Sequence, residues 1–119
     1  MDDRKNQPFR TRLRFALSGL AHAFRNERSL RTQAVAVALV FGVLLVLRSP
    51  PAWWALVLLA TATVLAAELF NTALERLADH LHPQLHAEIR IVKDCAAAAV
   101  LCLALAALGV GIALLWQMT

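Results

Sequence analysis

The chain has 119 residues, room for one small domain, and is 60% hydrophobic with a mean hydropathy of +0.60, too apolar for an ordinary soluble domain. Its four glycines are scattered as Gly19, Gly42, Gly109 and Gly111, which excludes a Gly-rich phosphate loop or a dinucleotide-binding turn. The net charge of +4 is lopsided, most of the Lys and Arg lying at or before Arg31; beside so much apolar sequence such a patch faces anionic headgroups rather than nucleic acid.

The first element is an arm over residues 1–30. Phe9, Leu13, Ala16, Leu17, Leu20 and Phe24 recur at steps of three and four, with Arg10, Arg12, Arg14 and Arg25 around them, which describes a basic amphipathic helix on the cytoplasmic face. No A-x-A site follows the first apolar run, so that run is expected to remain as an anchor rather than be cleaved. This first span, 32–48, is short, roughly 24 Å between Arg31 and Arg48 at about 1.5 Å per residue. Both arginines can snorkel outward, and Ser49–Trp54 supplies a turn and two interfacial aromatics.

The second span, 52–68, stops at Glu68, and residues 69–94 form a cytoplasmic helix extension and loop. The third, 95–116, carries no charge and is about 33 Å long, with Trp116 at its far interface. Ala96–Ala99 read as a close helix-packing surface. Cys95 and Cys102 sit roughly 10 Å apart along this helix, beyond disulfide reach, and read as small packing residues. Arg48 alone occupies the first connection, while Arg76, Arg90 and Lys93 join the basic arm on the other side. The N-terminus and 69–94 are therefore expected in the cytoplasm.

Function is concentrated where the second span ends. At helical spacing Glu68, Asn71, Thr72, Glu75 and Asp79 fall within an arc of about 100°, so all share one face. Charges at membrane depth are costly and normally face a bundle interior or a wet cavity. Carboxylates there suit Mg2+, which takes one or two of them and fills its other positions with water and substrate phosphates. The competing reading is a solvated face with Glu75 and Arg76 in surface pairs. Lys93 and Asp94 open the third span as boundary anchors or as a phosphate-binding pair. Glu27, the one acid between Asp3 and Glu68, either belongs to the same site or salt-bridges Arg28 or Arg31. His80, His82 and His86 share no Cys to complete a metal set, and no nucleophile elbow, H-E-x-x-H or paired C-x-x-C is present.

ELFNTALERLAD (Glu68–Asp79) followed by VKDCAAAAVL (Val92–Leu101), with an upstream glutamate in FRNERSLRTQ, resembles the small prokaryotic diacylglycerol kinase family, which includes undecaprenol kinases. The family pattern E-x-x-N-[ST]-A-x-E-x-x-x-D is matched by Glu68, Asn71, Thr72, Ala73, Glu75 and Asp79, and K-D-x-x-A-A-A-V by Lys93, Asp94, Ala97, Ala98, Ala99 and Val100, within a likeness running from about Phe15 to Trp116. The resemblance implies an all-α membrane protein, a homotrimeric bundle of three-span subunits each preceded by a surface helix. It implies transfer of the γ-phosphate of Mg-ATP to a lipid hydroxyl at the bacterial inner membrane, with Glu68 as general base, Glu27 and Glu75 as Mg2+ ligands and Asn71 as support. Lys93 and Asp94 would contact the nucleotide, with Asp79 as support on the same side. Diacylglycerol is the expected acceptor and a polyprenol the alternative, since HLHPQLHAEIRIVKD and RFALSGLAHAFRNE look closer to the undecaprenol branch.

The chemistry fits without glycine motifs, because phosphoryl transfer asks for positioning and charge stabilisation more than covalent help. Two other classes remain open on sequence: a small oligomeric ion-coupled transporter with Glu68 as its ion site, and a noncatalytic scaffold joined through its alanine faces.

Overall fold

The computed structural model describes residues 4–119, so the start of the expected arm, residues 1–3, lies outside them. A single 3-10 turn at Arg4–Asn6 leads into four α-helices: α1 (Phe9–Asn26), α2 (Arg28–Val46), α3 (Pro51–Leu81) and α4 (Ala87–Met118). The last three are long and apolar enough to cross a membrane, which marks a multi-pass membrane protein.

Glu27 is the one residue outside helical geometry between α1 and α2, with φ −110° and ψ 111°. Two contacts hold this elbow. The Arg31 guanidinium donates from Nη1 to the carbonyls of Phe24 (3.0 Å) and Arg25 (2.8 Å), satisfying acceptors that the end of α1 leaves without helical partners. Asn26 Nδ2 donates to the His22 carbonyl at 2.8 Å. Further along α1, Ala23 is buried and Leu20 and Phe24 are half-buried, whereas Phe9 is 77% exposed and Leu17 57%. The C-terminal half of α1 thus packs on the bundle, while in the N-terminal half Phe9, Leu13 and Leu17 stay uncovered and Phe15 is half-buried under Arg4.

Helix α2 ends in a Schellman turn: Ser49 N–H donates to the Leu44 carbonyl and Arg48 N–H to that of Leu45. The turn requires a left-handed residue, supplied by Arg48 at φ 51°. Pro51 then opens α3 at a position where its missing N–H costs no hydrogen bond. The α3 helix runs without a break past Glu68 to Leu81, as the expected helix extension requires. Helix α4 begins at Ala87, well before the apolar stretch that opens at Cys95. The cause is local: His86 Nδ1 accepts the Glu88 N–H at 3.1 Å as an N-cap, and Glu88 places an acid in the first turn. His82 donates to the Gln84 carbonyl within the connecting turn, and the two imidazoles sit edge to face. These histidines are occupied in shaping the α3–α4 turn.

Helices α2 and α3 run antiparallel. Gln33 on α2 meets Glu68 on α3, and eleven residues on, Leu44 meets Val57 eleven residues back. The most extensive packing joins α3 to α4. Leu44, Val57 and Leu114 form the buried cluster at the end remote from Glu68, with Trp54 stacked on Phe41 at 5.5 Å beside it. Few residues are buried in total, and large side chains such as Leu105, Leu108 and Ile112 stay outside. That is the inverse of a soluble core and is expected of helices whose outer faces meet lipid or another subunit. Within the single chain, Ala96 alone of the alanines 96–99 is buried, and the free Cys95 and Cys102 are exposed. The stripe that includes Ala96 turns toward α3, which leaves its neighbours on the free side of the helix.

Candidate functional site

Glu68 is the only charged or polar residue buried among those described, with 9% of its surface exposed. It lies roughly 26 Å along α3 from Pro51, and its carboxylate is not left bare. Gln33 reaches across from α2 and donates from Nε2 to Glu68 Oε1 at 2.6 Å. A buried carboxylate requires such a donor, because removing an unpaired charge from water costs several kcal/mol.

Gln33 also lines an apolar groove of about 400 Å3. Gln33 is its first α2 residue, and it continues between α2, α3 and α4 past Ala36, Val64 and Ala104 toward Val57 and Gly111. Small side chains from three helices keep it open.

Following α3 outward, burial decreases in the order that the shared face predicts: Glu68 is buried, Asn71, Thr72 and Glu75 are half-buried, and Asp79 is exposed. Asn71 Nδ2 donates to Glu75 Oε1 over a long 3.5 Å, while Asn71 Oδ1 is buried with no hydrogen-bond partner. An orphaned buried acceptor is uncommon and calls for a donor or cation from outside the chain. The amide turns its Nδ2, and not this oxygen, toward the Glu75 carboxylate.

Glu75 and Arg76 do not form the surface pair of the competing reading. Arg76 instead donates from Nη1 to His22 Nε2, fastening α1 to α3. Nor does Glu27 pair with Arg28 or Arg31; its backbone N–H caps the Ala23 carbonyl at 2.8 Å and its side chain is half-buried at the elbow. Among the described residues no three His, Cys, Asp or Glu side chains stand close enough to hold a metal by themselves. The chain can offer Mg2+ a partial shell, to be completed by waters and phosphates.

Lys93 and Asp79, expected on the nucleotide side, form an ion pair at 2.6 Å between α4 and α3. Asp94 is exposed next to it. The structure therefore brings together Glu68 with Gln33, Asn71 with Glu75, and Asp79 with Lys93, in that order away from the apolar groove. Gln33 closes the stretch FRNERSLRTQ and His22 lies within RFALSGLAHAFRNE, but no sequence signal gives either of them a role.

The model of the family described as prokaryotic diacylglycerol kinase matches residues 14–115. A protein of Synechocystis sp. (strain ATCC 27184 / PCC 6803 / Kazusa) named diacylglycerol kinase is 37% identical over 99 residues. That alignment covers 82% of this chain and 57% of the relative, so the chain spans little more than half the length of the curated relative it matches.

Proposed function

Because the chain belongs to the prokaryotic diacylglycerol kinase family, we propose that it is a lipid kinase that transfers the γ-phosphate of ATP to the hydroxyl of diacylglycerol, giving phosphatidic acid and ADP. A polyprenol such as undecaprenol is the alternative acceptor. The observation that carries this reading is the buried Glu68 carboxylate held by Gln33, a residue that lines an apolar groove. A lipid whose chain lies in the groove would present its hydroxyl to a base at the boundary of the apolar segment, where water is scarce.

In this reading Glu68 accepts the proton as the hydroxyl oxygen attacks the γ-phosphorus, and the bond to the β–γ bridging oxygen breaks. Glu75 and, from the elbow, Glu27 are the groups that would hold Mg2+, which would neutralise phosphate charge when bound, and Asn71 supports the site through Glu75. Lys93 attracts the phosphates as a point charge and Asp79 holds its ammonium in place. Asp94 contacts the nucleotide from the same helix turn. In this reading α1, with its basic residues, lies on an anionic cytoplasmic leaflet of the bacterial inner membrane. The homotrimer is what the family resemblance implies, and the difficulty of enclosing both ATP and a lipid within one small chain fits a site shared between subunits.

The test is ATP-dependent phosphorylation by detergent-purified protein, with diacylglycerol and undecaprenol offered separately and Glu68→Gln as control. Phosphate transfer that is lost in the variant supports the kinase, and the ratio of rates chooses the acceptor. No transfer to either lipid from folded protein overturns it.

A further inference from the structure

Gln33 carries more than the duty of satisfying a buried charge. Its Nε2 binds Glu68 Oε1 at 2.6 Å, the short distance of a charge-assisted hydrogen bond. Glu68 Oε2 makes no hydrogen bond among the described residues, yet it is not one of their sealed, partnerless atoms, where Asn71 Oδ1 stands alone. One oxygen is therefore held by protein, and the other has no hydrogen-bond partner among the described residues. Gln33 also lines the apolar groove, so the same side chain touches the groove and the carboxylate.

We propose that Gln33 is the positioning residue for Glu68: by holding Oε1 from the neighbouring helix it fixes the carboxylate plane and assigns Oε2 the proton of whatever hydroxyl enters from the groove. This rests on the lipid kinase reading above. A carboxylate on a long, flexible side chain has several rotamers of similar energy, and a base must lie within hydrogen-bond reach of the proton it removes. A donor on a second helix restricts the rotamers, and it does so from an element whose register against α3 is set by packing at Leu44 and Val57.

The experiment measures kcat and KM for lipid and for Mg-ATP in wild type, Gln33→Leu, Gln33→Asn, Glu68→Gln and the Gln33→Leu/Glu68→Gln double variant, with thermal midpoints in the same detergent. Asparagine keeps the amide but is one methylene too short to hold Oε1, so it tests the same loss if leucine does not fold. The expected result is a fall in kcat of roughly 10- to 100-fold for both Gln33 variants, with KM for Mg-ATP within about twofold, and no additional loss in the double variant. A loss of midpoint that tracks the loss of activity and raises both KM values would show a structural role and overturn the proposal. Full activity of Gln33→Leu and Gln33→Asn in a preparation where Glu68→Gln is inactive would overturn the positioning role and leave the kinase standing. Wild type inactive on both lipids would bring down the kinase reading, and the positioning role with it.

Discussion

Lys93 Nζ stands 2.6 Å from Asp79 Oδ1, linking α4 to α3 just beyond the turn that joins them. Two residues that the sequence presents as parts of separate motifs are one contact. Their side chains are 35% and 62% exposed, so solvent screens the pair and its share of stability is under about 1 kcal/mol. Asp79→Asn is expected to move the thermal midpoint little, and less still in high salt. Its effect should appear in KM for Mg-ATP, smaller than that of Lys93→Ala. Steady-state kinetics at varied ATP checks this, and equal effects of the two variants would show that the pair acts as a unit.

Glu75 and Asn71 are expected to act on the metal requirement rather than on the acceptor. Glu75→Gln keeps the size and the acceptor for Asn71 Nδ2 but removes the charge. The Mg2+ concentration for half-maximal activity should rise roughly tenfold or more, with KM for the lipid little changed. A Mg2+ titration that superimposes on wild type would remove Glu75 from the metal site.

Arg31 sets the bend between α1 and α2 by binding the carbonyls of Phe24 and Arg25. Arg31→Ala should release the last turn of α1 at a cost of about 1 kcal/mol, and Arg31→Lys should recover part of it, since an ammonium keeps the charge at the helix end without the planar fork. Hydrogen exchange at the amides of residues 24–27 reports the change. Protection equal to wild type in Arg31→Ala would mean that the elbow is held by other contacts.

Arg48 adopts φ 51° in the Schellman turn, a conformation that costs a residue with a side chain about 1 kcal/mol or more and glycine little. Arg48→Gly is therefore expected to raise the unfolding midpoint, and Arg48→Val, with a branched Cβ, to lower it. A lower midpoint for the glycine variant would show that the arginine's anchoring at the apolar boundary outweighs the strain.

Much of the site is legible in the sequence. The one-sided spacing of Glu68, Asn71, Glu75 and Asp79 follows from helical geometry alone, and the observed gradient from buried Glu68 to exposed Asp79 lies along that face. The roles of Glu27 and Asp94 come from the resemblance, and neither side chain makes a hydrogen bond or ion pair among the described residues that would add to it. His86 shows why its use is not legible: an N-cap depends on where a helix begins, and the apolar pattern marks only the later segment from Cys95.

The sequence by itself determined the class of the molecule. Apolar runs long enough to cross a bilayer leave the backbone few solutions other than helices, and charge placed at their ends marks the chemistry. Which residue answers Glu68 was decided only by tertiary structure. Gln33 is separated from it by 35 positions and a turn, and the pairing depends on the antiparallel register of α2 against α3. Periodicity assigns a residue to a face of its own helix, whereas contact between helices depends on turn geometry and on packing such as that of Leu44 against Val57, and neither is written in any one segment.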